Sequence, residues 1–112
     1  MDDATLAALI RFADRAIDWA RAEGASWIEN EQVRAAVAMY VGQVGEIINR
    51  EVTPDEFAAN PDLFGALGGF RNRIYHHYYR DFRLDVLRDT VDVELPAKLA
   101  LWKARQAAAP QP

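Results

Sequence analysis

The chain is predicted to be all-α: an up-and-down four-helix bundle with one short extra helix and a kinked last helix. Three observations carry that expectation. Twenty alanines stand against six glycines and five prolines in 112 residues. Apolar residues recur at helical spacing through four stretches. The joints between those stretches are short and rich in capping residues. Such a length holds one core, so residues 1–106 are read as a single domain and 107–112, Ala-Ala-Ala-Pro-Gln-Pro, as a frayed tail.

Taken in order, Leu6, Leu9, Ile10, Ala13, Ile17 and Ala20 form the first stripe, with Asp2 and Asp3 at the positive helix end and Gly24 as the stop. They predict a helix over residues 3–23. Either Ser26-x-x-Glu29 or Asn30 caps the next one. Val33, Val37, Tyr40, Val41, Val44 and Ile48 predict its span as 31–51, with Gly42 and Gly45 inside it as points of close helix approach. Thr53-Pro54-Asp55-Glu56 opens a short helix that ends before Asn60-Pro61. A third long helix is expected from Asp62 through Phe64, Leu67, Ile74 and Tyr78. The last stripe is Leu84, Leu87, Val91, Leu95, Leu99 and Trp102, and Pro96 inside it predicts a kink or pause near residue 92. Trp19, Trp27 and Trp102 all fit the apolar stripes.

Composition narrows the function classes. At 51% hydrophobic and 27% charged the chain folds, and with no cysteine it has neither disulfides nor a thiol nucleophile. No apolar run approaches a membrane span, and the acidic opening is unlike a secretory leader, so a cytoplasmic protein is expected. The net charge is −4, but residues 71–88 alone carry +3 and the remainder −7. One basic segment on an acidic body points to one localised anion site.

That segment contains both histidines of the chain: Gly68-Gly69-Phe70-Arg71-Asn72-Arg73-Ile74-Tyr75-His76-His77-Tyr78-Tyr79-Arg80. Arginine grips phosphate through a charged planar fork, and histidine moves protons near neutral pH. RNA supplies its own 2′-hydroxyl nucleophile, so these two side-chain types suffice to cut it without a metal or other cofactor. Two adjacent histidines diverge around a helix, and no carboxylate stands at ligand spacing beside them, so no metal site is expected. Arg71 and His76 lie about 140° apart around an uninterrupted helix. Either the helix loosens near His76, or two copies of the segment pool their groups across a two-fold axis; the second is preferred, as a cleft at a homodimer seam. The bland reading is a solvated arginine face with tyrosines packed in the core.

Arg71-Asn72-Arg73-Ile74-Tyr75-His76-His77-Tyr78 resembles the R-x4-H-x-Y signature of HepT-like toxins of the HEPN superfamily. The context agrees: Val44-Gly45-Glu46 is similar to the glycine–glutamate pair of that family's second helix, and residues 62–70 and 85–96 resemble the lead-in to its arginine and its closing helix. The likeness spans about residues 31–102. It implies an all-helical, dimeric, metal-independent ribonuclease that acts as the toxin of a toxin–antitoxin pair. Arg71 and His76 then become the catalytic pair, Asn72 holds substrate or orients the histidine, and Glu46 orients the site; Arg73 and His77 of the same basic segment are added as candidate substrate-binding residues from their chemistry alone. Tyr78 matches the tyrosine to which an MntA-like nucleotidyltransferase antitoxin adds AMP. The resemblance also admits an alternative, a catalytically silent helical partner of a nucleotidyltransferase.

Overall fold

Asp2 accepts the backbone N–H of Thr5 at 2.7 Å and so opens α1, Asp3–Glu23, in the computed structural model of the chain, which describes residues 1–65, 67 and 83–109. Gly24 closes this helix at φ 101°, a conformation only glycine adopts without strain, and its N–H reaches the carbonyl of Ala20. A 3-10 turn, Trp27–Glu29, follows, and then α2, Glu31–Glu51. Asn30, not Ser26, caps α2: its side-chain oxygen accepts from Gln32 and Val33, whereas the Ser26 side chain makes no capping bond. Thr53 caps α3, Pro54–Ala59, by accepting from the Glu56 N–H at 3.1 Å, and Pro54 fills the first turn, where its missing N–H costs nothing.

The continuous long helix expected from Asp62 does not form at its start. α4 is a single turn, Pro61–Phe64, and Gly65 ends it at φ 54°, ψ −135°. That backbone geometry is closed to a side-chain-bearing residue and incompatible with helix. Its further course, through Ile74 and Tyr78, lies outside the described residues.

The last rod runs without a break in the chain through α5, Leu84–Asp89, a π-helical turn, Thr90–Glu94, and α6, Leu95–Ala108. The π turn is the interruption that Pro96 imposes. With no N–H, Pro96 leaves the carbonyl one turn behind it without a donor. The chain widens by one residue, and the Leu95 N–H bonds Thr90 five positions back. The Thr90 hydroxyl, itself buried, donates to the Val86 carbonyl at 2.7 Å. α6 takes in Ala107 and Ala108 of the expected tail, while 110–112 lie outside the described residues.

Every regular element among the described residues is helical. α1 is the central helix. It packs most extensively on α2, then on α6, and α4 in turn leans on α6. Leu9, Ala13, Ala16, Val37, Val41, Val44, Leu87, Leu95 and Trp102 are among the buried side chains at these seams, so the stripes on α1, α2 and the last rod meet in one core. Two residues depart from their stripes. Trp19 is 46% exposed, because the core face of α1 runs through Ala16, Ile17 and Ala20 and leaves Trp19 on the flank. Leu84 is 38% exposed, since it begins α5 before the rod enters the core at Leu87. Nor does Gly42 mark a close approach: a Cβ built there meets nothing within 4 Å.

Candidate functional site

Arg71, Asn72, Arg73, His76, His77 and Tyr78 lie outside the described residues; Glu46 lies within them. The structure therefore defines how the chain is fixed immediately before and after the basic segment.

On the entry side, α6 clamps α4. The indole N–H of Trp102, fully buried, donates to the Leu63 carbonyl at 2.8 Å, and the Lys98 ammonium donates to the Asp62 carbonyl. These carbonyls lie at the C-terminal end of a single turn, where intrahelical donors run out, and α6 supplies a donor to each. Phe64 is buried and stacks on Phe57 of α3 with ring centroids 5.7 Å apart. Gly65 then turns the chain so tightly that a side chain there would stand 3.0 Å from Lys98 Cε. Leu67, buried in the core, is the last described residue before the segment.

On the exit side the Arg83 guanidinium forks onto Asp85, with Nε–Oδ1 at 3.1 Å and Nη2–Oδ2 at 3.0 Å. Those charged hydrogen bonds, first among the causes, hold the Asp85 carboxyl below its ordinary range. Both groups are exposed, so the pair adds little to stability, and the rod is first held by the core at Leu87. Farther along the rod, Asp92 accepts the Trp27 indole N–H at 3.2 Å and ties the π turn to the joint between α1 and α2.

Glu46 sits on α2, half-buried, with its Oε1 2.8 Å from the Nε of Arg50 one turn later. The pair gives α2 a charged, hydrogen-bonding position, but at helical i, i+4 spacing it adds only a few tenths of a kcal/mol to the helix. Sequence reasoning overlooked Arg50, although the four-residue spacing was a signal for it. It also overlooked Lys98 and Trp102 as anchors, and no sequence signal pointed to them. Glu94 was overlooked too: its Oε2 is buried in the π turn without a hydrogen-bond partner. Among the described residues no three His, Asp or Glu side chains converge to hold a metal. No helix there is long and apolar enough to cross a membrane.

Chemically, the arrangement amounts to an all-helical frame that clamps the chain at α4, just before a fifteen-residue segment, 68–82, which carries the chain's two histidines and three of its arginines. Compared with protein-family models, with curated proteins and with solved structures, the chain matches none.

Proposed function

We propose that the chain is a metal-independent, HepT-like ribonuclease toxin that works in the cytoplasm as a homodimer. One observation carries the reading: arginine, histidine and tyrosine stand in the order Arg71-x4-His76-x-Tyr78, within the single basic segment of an otherwise acidic chain. The clamp on α4 just before that segment supports it, because acid–base catalysis on a phosphodiester needs its cation and its imidazole held in register. At 1.5 Å per residue the segment is long enough for a rod of about 22 Å. A helix of that length is what the proposed up-and-down four-helix bundle requires beside α1, α2 and the last rod.

In this reading His76 takes the proton of the RNA 2′-hydroxyl as its oxygen attacks phosphorus. The bond to the 5′-oxygen breaks, and that oxygen receives a proton from the imidazolium of the pooled site. Arg71 neutralises the charge that builds on the phosphorane. Asn72, Arg73, His77 and Glu46 hold the strand or orient the imidazole. AMP placed on Tyr78 by an MntA-like nucleotidyltransferase adds bulk and negative charge where an RNA phosphate has to sit, which switches the enzyme off.

The test uses purified protein and a labelled single-stranded RNA in the presence of EDTA. Cleavage should persist and leave a 2′,3′-cyclic phosphate, and His76→Ala and Arg71→Ala should each lower the rate by about 100-fold or more. No cleavage, or equal cleavage by His76→Ala, overturns the reading. The silent-partner alternative then stands if co-expression with a nucleotidyltransferase adds AMP mass that Tyr78→Phe abolishes.

A further inference from the structure

The last rod carries a groove on the side that faces the joint between α1 and α2. Leu84, Arg88 and Asp92 follow one another at four-residue spacing, as do Asp85, Asp89 and Val93, and these two rows together with Ile28 of the 3-10 turn line an open hollow of about 510 Å³. By helical rise it runs about 13 Å along the rod. Its apolar lining is aliphatic. Ile28 is nearly buried, Leu84 is 38% exposed, and Val93, at 62%, is the most exposed large apolar side chain among the described residues. The π turn accounts for Val93, since it keeps Val91 and Leu95 in the core and leaves Val93 outside. Apolar side chains scattered singly over a surface are ordinary, but three that line one hollow beside fixed charges have the make-up of a binding site.

We infer that this groove docks a cationic, amphipathic segment of a partner protein, one that presents lysines or arginines beside aliphatic side chains. Charge complementarity selects that occupant. Three of the four charged groups lining the groove are carboxylates. Asp85 is already matched by Arg83. Asp92 accepts only the neutral indole N–H of Trp27, and none of the ion pairs among the described residues engages Asp89, so both keep their full charge. Arg88 offsets one of the two, and the groove stays negative on a chain that is −4 overall, which repels anionic partners. A lysine or arginine side chain suits both halves of the lining: its methylene stem lies against Leu84, Ile28 and Val93 while its head reaches Asp89 or Asp92. A purely apolar segment would cover those carboxylates and leave them without a partner, at a cost that the aliphatic contact does not repay. The short groove sets the contact in the small, transient class. The inference uses no residue between 68 and 82 and is read by binding alone, so it stands or falls separately from the ribonuclease reading.

The test titrates the full chain into a fluorescently labelled synthetic peptide of about 14 residues, leucines on one helical face and lysines beside them, and follows anisotropy in about 50 mM salt. The Kd should be on the order of 100 µM or tighter, and about tenfold weaker in about 0.5 M salt. Asp89→Lys should raise it by about tenfold or more, and Val93→Ser by about threefold or more. Asp89→Lys should also come to prefer the same peptide with glutamate in place of lysine, which the wild type should not bind. Asp55→Lys, at an exposed position of α3 outside the groove, controls for general attraction to an acidic chain and should change Kd by less than about twofold. These variants should keep the wild-type thermal midpoint to within a few degrees, since Asp55, Asp89 and Val93 are all exposed. No binding at millimolar chain, equal weakening by Asp55→Lys, or indifference to both Asp89→Lys and Val93→Ser overturns the inference. So does sedimentation equilibrium in which Val93→Ser breaks a dimer of the chain, because the groove then belongs to a second copy.

Discussion

Replacing Trp102 by phenylalanine isolates the clamp that fixes the entry to the basic segment. Phenylalanine keeps most of the apolar bulk of this fully buried side chain but has no N–H, so the bond to the Leu63 carbonyl at 2.8 Å is lost and its acceptor is left without a donor. Stranding a part-buried carbonyl costs about 1–2 kcal/mol, and the cavity from the smaller ring adds about 1 kcal/mol. The expected loss is thus about 2–3 kcal/mol, a fall in thermal midpoint of at least about 8 °C for a domain of this size. Urea unfolding followed by circular dichroism measures it, with an unchanged m-value confirming that the native and unfolded states are otherwise comparable. Leu101→Ala, on the exposed side of the same helix, is the control and should shift stability by no more than about 0.5 kcal/mol. If Trp102→Phe costs less than that control limit, the indole does not hold α4, and the account of a pinned entry is wrong.

Further outcomes follow from the joints. Asn30→Ala should cost about 1 kcal/mol in urea unfolding, while Ser26→Ala should stay within about 0.5 kcal/mol, because Asn30 alone of the two caps α2. Gly42→Ala should stabilise the chain by about 0.5–1 kcal/mol, since the added methyl meets open space inside a helix, whereas Gly65→Ala should cost about 1–3 kcal/mol at its positive φ. The Asp2 carboxyl is held below its ordinary value of 3.8, chiefly by the backbone N–H of Thr5, and Asp85 likewise by Arg83. Depressed folded-state values mean that the unfolded chain binds more protons in acid. These groups therefore contribute fully above about pH 5, and the contribution fades as pH falls through their folded values. Urea midpoints measured from pH 7 down to pH 2.5 should fall less steeply below about pH 4 in the Asp2→Asn, Asp85→Asn variant than in the wild type.

The basic segment became a candidate site through side-chain chemistry alone: guanidinium and imidazole groups gathered in one stretch of an acidic chain. Glu46 is the one candidate whose surroundings are on view, and its partner Arg50 was within reach of sequence reasoning because helical neighbours four residues apart touch whatever the tertiary fold. The clamp on the segment was out of reach. Leu63 and Trp102 are 39 residues apart, and a backbone carbonyl leaves no mark in a sequence.

Local rules were enough for the bounds of α1 and α2, the Thr53-Pro54 start of α3 and the interruption before Pro96, since caps, ring closure and apolar period act within one or two turns. Tertiary structure decided the rest. It stopped the helix at Gly65, where α6 meets the carbonyls of α4, and left Trp19 and Leu84 outside the core. The physical reason is the range of the interactions: periodicity tells which residues can share a face, but only the packing of distant helices determines which face is covered and which backbone groups still need a partner.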